Sequence, residues 1–156
     1  MSRLAPIRLD QTLAVVIPSY KVLAHVLDVI GRIGPEVAMI IVVDDACPEG
    51  SGNHVEENCG DPRVRVIRHA QNKGVGGAVM TGYQAALAAG ADVIVKLDGD
   101  GQMDPALIGR IARPVLEGRA DYAKGNRFHS IWNVRKMPAL RLWGNAALSF
   151  VTKLSS

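Results

Sequence analysis

Short runs of β-branched and apolar residues alternate along the chain with segments of helical period, and this alternation constrains the fold most. Three of the runs, residues 12–17, 37–43 and 91–97, are almost continuously apolar, which is typical of strands buried on both faces of a parallel sheet. Residues 63–69 alternate more, as an edge strand does, and residues 120–125 predict a weaker fifth strand.

The segments between these runs carry apolar residues at helical spacing. Gly90 and Gly118 follow two of the segments and fit the left-handed position that often ends a helix. Strands that alternate with helices indicate an α/β fold, here a Rossmann-like, mostly parallel sheet with helices on both faces. The four predicted helices cover residues 22–33, 51–58, 75–89 and 105–116.

Composition limits the classes of partner. The chain has 156 residues, 48% of them hydrophobic, which predicts a single domain over residues 1–156. A net charge of +3 without any run of Lys and Arg predicts no nucleic-acid partner. Cys47 and Cys59 lack the spacing of a zinc site, so we expect free thiols in a reducing compartment. No apolar run approaches the roughly 20 residues of a spanning helix, so we expect a cytoplasmic chain, at most bound to a membrane surface.

Three motifs fall where strands are predicted to end: PSYK after the first, DDACPEGSG after the second and DGDGQ after the fourth. Ligands of open parallel sheets bind at such ends, because the crossover loops diverge there. In the third motif, Asp98 and Asp100 can point to one side while Gly99 lets the chain bend around a ligand. Together with the Gln102 amide oxygen they form an all-oxygen set that suits Mg²⁺ or Mn²⁺ on phosphate oxygens. The alternative is a turn with solvated acids.

The remaining acids near strand ends also allow more than one role. Asp44 or Asp45 either accepts hydrogen bonds from a base N–H or a ribose hydroxyl, or caps the loop that follows. Asp104 precedes Pro105 and predicts the cap of the next helix, with proline at its first position.

Residues 72–90 are rich in glycine but match neither the dinucleotide fingerprint nor a P-loop. Their small side chains predict a helix that lies close to the sheet, and Lys73 is placed to approach a phosphate. Arg127, just past the predicted fifth strand, is suited to clamp a phosphate or a sugar. The histidines are scattered and lack matching partners at strand ends, so no nucleophile set is predicted; they are His25, His54, His69 and His129.

The last segment, residues 137–156, is amphipathic, with Leu140, Trp143 and Leu154 among the residues of its apolar face. One interpretation is a helix that covers the sheet, and the other is a basic face near a membrane or a phosphate. Its apolar face also suggests that two copies pair as a homodimer.

Taken together, the motifs resemble the family 2 glycosyltransferases, and most of all the branch that moves sugars onto polyprenyl or dolichyl phosphate. The resemblance runs over residues 13–154 and is most specific in the Asp-x-Asp-Gly-Gln block. The stretches that carry it, in order, are VVIPSYK, IIVVDDACPEGSG, NKGVGGAVMTGYQAALAAGADVIVKLDGDGQMDP and ADYAKGNRF.

The resemblance implies a GT-A fold that binds a nucleotide-diphosphate sugar, linked to UDP or GDP, across the strand ends. It departs at Tyr20-Lys21-Val22, where the family usually has Tyr-Asn-Glu and so an acid near the nucleoside, and at Gly99, where alanine is frequent. By position, the residues that match are Pro18, Tyr20, Val43 and Asp45 at the nucleoside, Asp98, Gly99 and Asp100 at the metal and diphosphate, Gln102 as a further metal ligand, and Arg127 at a donor phosphate.

The implied reaction is an inverting single displacement, with Asp98 and Asp100 as the catalytic residues through a bound Mg²⁺ or Mn²⁺. A lipid-phosphate acceptor needs no strong base, whereas a glycan hydroxyl needs a carboxylate base, and none is evident. Family members continue beyond this length into an acceptor segment and often membrane helices, so a shortened, donor-binding fragment without transfer activity is one alternative. A sugar nucleotidyltransferase is another, although PSYK is not its glycine-rich loop. The family's setting implies the cytoplasmic face of a membrane.

Overall fold

Four parallel strands form the central sheet of the computed structural model, which describes residues 11–125. Their spatial order is β3-β2-β1-β4. The β1–β2 ladder runs from Ala14 opposite Met39 to Ser19 opposite Asp44. Because all four strands run in one direction, their carboxyl ends lie along the same edge. The strands are β1 (Leu13–Ser19), β2 (Met39–Asp44), β3 (Val64–Arg68) and β4 (Val93–Lys96).

Helices cover both faces of the sheet, as predicted. Side chains alternate between the faces, so that Val15 and Ile17 pack into one core cluster and Ala14 and Val16 into the other. The first cluster also holds residues of α1, α2 and α4, and the second holds residues of α3. The helices are α1 (Val26–Gly31), α2 (Ser51–Asn58), α3 (Gly74–Ala88) and α4 (Ile108–Leu116), the last preceded by a 3₁₀ turn (Pro105–Leu107).

Helix α3 lies close to the sheet because its contact face is made of small residues. A Cβ atom built on Gly82 would be 2.3 Å from Val16 Cγ1, so no side chain fits there. Ala78 and Ala86, one turn away on either side, are fully buried. The predicted role of small residues in this helix is thereby confirmed, although it does not extend to Gly76, where an added Cβ would meet nothing.

The four predicted helices and the first four predicted strands are confirmed, with shifted ends. Helix α1 begins at Val26 instead of residue 22, because the amides of both His25 and Val26 bond to the Val22 carbonyl and form a tight turn first. Gly90 and Gly118 have positive φ angles after α3 and α4. Asp104 caps the 3₁₀ turn through a 3.2 Å bond from the Ala106 amide.

The predicted fifth strand is wrong: residues 120–125 are described and form no strand. The segment offers few apolar side chains, and its largest, Tyr122, is 76% exposed, so no buried face holds it against a neighbour. Arg127 and residues 137–156 lie outside the described residues. Within residues 11–125, no helix is long and apolar enough to cross a membrane.

At the amino end of the sheet, the polar side chains are hydrogen-bonded to other groups of the same chain. Arg63 donates to Asp61 and to the carbonyls of Ile33, Gly34 and Val37, at distances of 2.7–3.2 Å. These bonds fasten the start of β3 to the loop between α1 and β2. Asp92, before β4, likewise accepts the Thr12 amide at 2.7 Å.

Candidate functional site

A cavity of about 380 Å³ lies at the carboxyl edge of the sheet, and we call it the strand-end cavity. Its size falls within the range of small-ligand sites. The three motifs singled out in the sequence all contribute to it, together with the first turn of α3. Its lining residues are Pro18, Ser19, Tyr20, Val22, Asp45, Asn72, Gly74, Val75, Ala78, Asp98, Gly99 and Asp100.

The end of β1 supplies an aromatic wall. Tyr20 lines the cavity and is 42% exposed, with Lys21 Nζ 5.5 Å from the centroid of its ring. The Lys21 backbone adopts a positive φ of 56°, and its amide donates to Cys47 Sγ at 3.1 Å, which ties the PSYK loop to the loop after β2. Ser19 is fully buried beside Tyr20, and its hydroxyl has no hydrogen-bond partner among the described residues.

The two adjacent acids after β2 have different roles, which the sequence left open. Asp44 accepts the amides of Cys47 and Gly52, each at 2.8 Å, and so caps the loop and the start of α2. A Cβ on Gly52 would lie 2.4 Å from the Asp44 carboxylate, so glycine is required there. Asp45, in contrast, lines the strand-end cavity. The structure thus assigns the capping role to Asp44, whereas Asp45 borders the cavity with a side chain that is only 3% exposed.

Asp45 is held by a buried polar network. Its Oδ1 lies 2.6 Å from His69 Nδ1 and accepts the Lys73 amide at 2.8 Å. Burial alone would raise the pKa of Asp45, but the hydrogen bonds from His69, Lys73 and Gly74 outweigh it and lower the pKa below its ordinary value of 3.8. Asp45 is therefore a carboxylate at neutral pH.

His69 is the residue that sequence reasoning missed. The prediction that the histidines lack partners is wrong here, because His69 directly follows β3 and its side chain meets Asp45 and Thr81. The available signal was its position: it follows a predicted strand, at the same sheet edge as the three motifs. Its partners are distant in sequence, and for that reason the sequence alone did not indicate the pairing.

The end of β4 places two acids at the opposite side of the cavity. Asp98 and Asp100 both line it and are partly exposed. Asp98 forms an ion pair with Lys96, and Asp100 accepts the Gln102 amide at 3.0 Å. Gly99 between them is buried, and an added Cβ would lie 3.2 Å from both Ile17 and Val22, which explains the small residue at this position.

These acids fit a divalent cation that is shared with a phosphate ligand. Among residues 11–125, no three His, Cys, Asp or Glu side chains form a ready-made metal site. Mg²⁺ commonly binds through only one or two carboxylates and takes its other oxygens from water and substrate phosphates. The carboxylate oxygens of Asp98 and Asp100 border an open cavity, and they match that type of site.

The other predicted residues are placed less directly. The Lys73 backbone amide donates a hydrogen bond to Asp45. Lys73 is exposed and is not one of the residues that line the cavity. Val43 is fully buried in the cluster beneath α3 and is likewise not a lining residue. Gln102 is exposed next to Asp100. Arg127 lies outside the described residues.

A larger hollow of about 500 Å³ runs along β3 but does not have the features of a charged-ligand site. Its two acids, Glu56 and Asp61, are already paired with Arg68 and Arg63. The chemistry therefore points to the smaller strand-end cavity.

Comparison with known families decides the class of protein. The model of the family described as glycosyl transferase family 2 matches residues 14–154. The chain belongs to this family. The resemblance noted in the sequence is thereby confirmed.

Two curated relatives of this family 2 chain act on lipid phosphates by name. It is 31% identical over 93% of its length to the UDP-N-acetylglucosamine–dolichyl-phosphate N-acetylglucosaminyltransferase of Methanococcus voltae. It is 35% identical over 88% of its length to the polyprenol monophosphomannose synthase of Mycolicibacterium smegmatis. The chain spans 63% and 53% of the lengths of these two relatives.

A solved structure supports the GT-A fold of the family 2 chain. It is glucosyl-3-phosphoglycerate synthase from Mycobacterium tuberculosis, in complex with Mn²⁺, UDP and glucosyl-3-phosphoglycerate. The TM-score is 0.55 at 23% identity, with 69% of this chain and 40% of the other covered. Likeness at this level concerns the fold, and it agrees with the parallel sheet described above.

Proposed function

We propose that the strand-end cavity binds a nucleotide-diphosphate sugar, linked to UDP or GDP, and that the protein transfers the sugar to a polyprenyl or dolichyl phosphate. The observation that carries the proposal is the placement of Asp98 and Asp100 across one cavity from Tyr20 and Asp45. Membership of the family and the names of the two lipid-phosphate relatives support the reaction and the acceptor.

The two sides of the cavity suit the two parts of such a donor. Tyr20 and Pro18 offer a flat, partly apolar wall for a base, and the Asp45 carboxylate accepts N–H or O–H groups of a nucleoside. The β4 side carries Asp98 and Asp100 and would receive the diphosphate. In this arrangement Lys73 and Arg127 are the proposed cationic contacts to phosphate, and Val43 lies behind the nucleoside wall.

Asp98 and Asp100, with Gln102 as a further ligand, would hold Mg²⁺ or Mn²⁺ at the diphosphate. When bound, the ion would supply neutralisation of the charge that develops on the leaving diphosphate. Lys96 keeps Asp98 paired with a positive charge in the structure, and so the site presents less net negative charge to an incoming anionic donor.

The proposed chemistry is a single displacement with inversion. The acceptor oxygen forms a bond to the anomeric carbon as the bond from that carbon to the diphosphate oxygen breaks. A phosphate acceptor is already anionic, so the step needs no residue to remove a proton. Such a step is consistent with residues 11–125, in which the acids that line the cavity are assigned to the nucleoside and the metal and none is left as an evident general base. A lipid acceptor would place the protein at the cytoplasmic face of a membrane, as a peripheral protein.

Calorimetry of nucleotide binding tests the donor site. We expect the chain to bind UDP or GDP in the presence of Mn²⁺, and Asp100→Ala to lose about a hundredfold in affinity because it removes one of two metal-binding carboxylates. Asp28→Asn is the matched control, since it removes an acid that is 71% exposed on α1 and bonds only weakly to Arg32. Metal-independent binding that is unchanged in Asp100→Ala would overturn the site.

Transfer of radiolabelled sugar tests the reaction. The chain would be given labelled nucleotide sugar and polyprenyl phosphate, with a full-length lipid-phosphate relative of the family as the positive control. Label that enters the lipid fraction supports the proposal, and Asp100→Ala should abolish it. Label that moves instead from sugar 1-phosphate into nucleotide sugar would show a nucleotidyltransferase.

A further inference from the structure

Three polar side chains, of which His69 and Asp45 are buried and Thr81 is partly buried, form a hydrogen-bonded chain behind the strand-end cavity. His69 follows β3, Asp45 follows β2 and Thr81 lies in the middle of α3. His69 Nδ1 lies 2.6 Å from Asp45 Oδ1, and His69 Nε2 lies 2.8 Å from Thr81 Oγ1. The side chains of His69 and Asp45 are only 4% and 3% exposed. Buried polar groups are expensive unless each is satisfied, and here each is.

The hydrogen positions in this chain follow from the chemistry of the groups. An ionised carboxylate can only accept, so His69 Nδ1 must carry the hydrogen that lies towards Asp45. In the neutral imidazole Nε2 is then the acceptor and the Thr81 hydroxyl donates to it, whereas in the imidazolium both ring nitrogens donate and the hydroxyl accepts. In either form Thr81 holds the ring with its Nδ1–H directed at Asp45.

This arrangement fixes which carboxylate oxygen is directed to the protein. The bonds from His69 and from the Lys73 amide both end on Oδ1 of Asp45. Neither uses Oδ2. The Gly74 amide is a further backbone donor near this carboxylate, and both Gly74 and Asp45 line the cavity. Asp45 is thus oriented through Oδ1, which leaves Oδ2 for a ligand at the cavity.

We propose that His69, held by Thr81, is a positioning residue that orients Asp45 towards the nucleoside part of the donor. The proposal rests on the proposed function, because it takes the strand-end cavity as the donor site. His69 itself does not line the cavity, so it acts through Asp45 and not by touching the nucleotide. The nucleoside would present an N–H or O–H group to Asp45, and loss of the orientation would weaken that contact alone.

Two pairs of variants test this. His69→Leu removes the hydrogen bond to Asp45, whereas His69→Asn keeps an N–H donor close to the position of Nδ1. Thr81→Val removes the hydroxyl that bonds to His69 Nε2, whereas Thr81→Ser keeps it. For each variant, calorimetry with Mn²⁺ would measure affinity for UDP, for GDP and for inorganic pyrophosphate, and urea unfolding would show that the variant is folded.

We expect His69→Leu to weaken binding of the preferred nucleotide about tenfold, the size of one charge-assisted hydrogen bond, and to leave pyrophosphate binding unchanged. His69→Asn should recover most of the affinity. Thr81→Val should lose about threefold, a smaller effect because it acts one bond further away, and Thr81→Ser should match the wild type. If His69→Leu does not fold, His69→Asn and the Thr81 pair still carry the comparison.

Each result decides between the two proposals. If the wild type binds nucleotide and the variants bind it equally well, the role of His69 is overturned and the donor site remains intact. Equal losses for nucleotide and pyrophosphate would show a general structural effect and also overturn it. Failure of the wild type to bind any of the three probes would overturn the donor site itself.

Discussion

The two ends of the same parallel sheet use charged residues in opposite ways. At the amino end, Arg63 and Asp61 bond to each other, and Arg63 also bonds to three backbone carbonyls. At the carboxyl end, Asp98 and Asp100 face a cavity and make few protein contacts. The amino end therefore contributes mainly to stability, and the carboxyl end keeps carboxylate oxygens available for a ligand.

Between these extremes stands the pair Asp44 and Asp45. Asp44 accepts hydrogen bonds from backbone amides, as the acids of the amino end do. Asp45 lines the cavity and is hydrogen-bonded to His69. One residue step along an extended chain reverses the direction of a side chain, so the boundary between structural and ligand-facing acids falls between them.

The largest expected effect is on stability, from Arg63→Ala. The variant removes the guanidinium bonds to three carbonyls and to the Asp61 carboxylate, so we expect the free energy of unfolding to fall by about 3 kcal/mol. Urea denaturation measures this. Nucleotide affinity below the unfolding transition should not change, because the strands separate Arg63 from the cavity by about 16 Å. A large loss of nucleotide affinity would contradict the assignment of the amino end to stability alone.

Gly82→Ala addresses helix α3, which connects the two ends. Its added Cβ would overlap Val16, and we expect a loss of about 2 kcal/mol in the free energy of unfolding, as in overpacked cores. Because Gly74 and Val75 of the same helix line the cavity, nucleotide affinity should fall as well. Gly76→Ala is the matched control, since its Cβ meets nothing; it should be neutral or stabilise the helix by roughly 0.5–1 kcal/mol.

Asp61→Asn probes the amino end through pH. The hydrogen bond from Arg63 outweighs burial and lowers the pKa of Asp61 below its ordinary value of 3.8. The ionised group therefore stabilises the fold fully above that value, and the contribution is lost as pH falls through the lower folded pKa. We expect the wild type to exceed the variant by about 1 kcal/mol at neutral pH. Urea unfolding at pH 7, 5 and 3 should show the difference shrinking only at the lowest pH; a constant difference would contradict the assignment.

The smallest effect is expected at the cavity wall. Tyr20 is partly exposed, so Tyr20→Ala should leave the free energy of unfolding nearly unchanged while it removes the surface against which a base can stack. We expect nucleotide affinity to fall about threefold to tenfold, in line with base–aromatic stacking energies. Tyr20→Phe keeps the ring and should bind nearly as the wild type does. Equal affinity in Tyr20→Ala would place the base elsewhere in the cavity.

Local patterns in the sequence were sufficient for much of the fold. The apolar runs predicted β1, β2 and β4, because a strand buried on both faces must be apolar along its whole length. The alternation in residues 63–69 predicted β3, which lies at the edge of the sheet. The position of the DGDGQ motif at the carboxyl edge of the sheet was also predictable, since its acids directly follow an apolar run, and Asp98 and Asp100 line the strand-end cavity there. The weaker fifth strand was not, because a pattern of few apolar residues does not say whether a neighbour is present to pair with.

The sequence by itself determined the class of fold, the order of the elements and the edge of the sheet at which the candidate site lies. Only the tertiary structure decided which of Asp44 and Asp45 reaches the cavity, and that His69 and Thr81 support Asp45. The reason is physical: strand and helix periods are properties of neighbouring residues, whereas the hydrogen bonds at Asp45 join β2, β3 and α3 across 24 and 28 positions of the chain. Such contacts exist only after the sheet has brought its strand ends together.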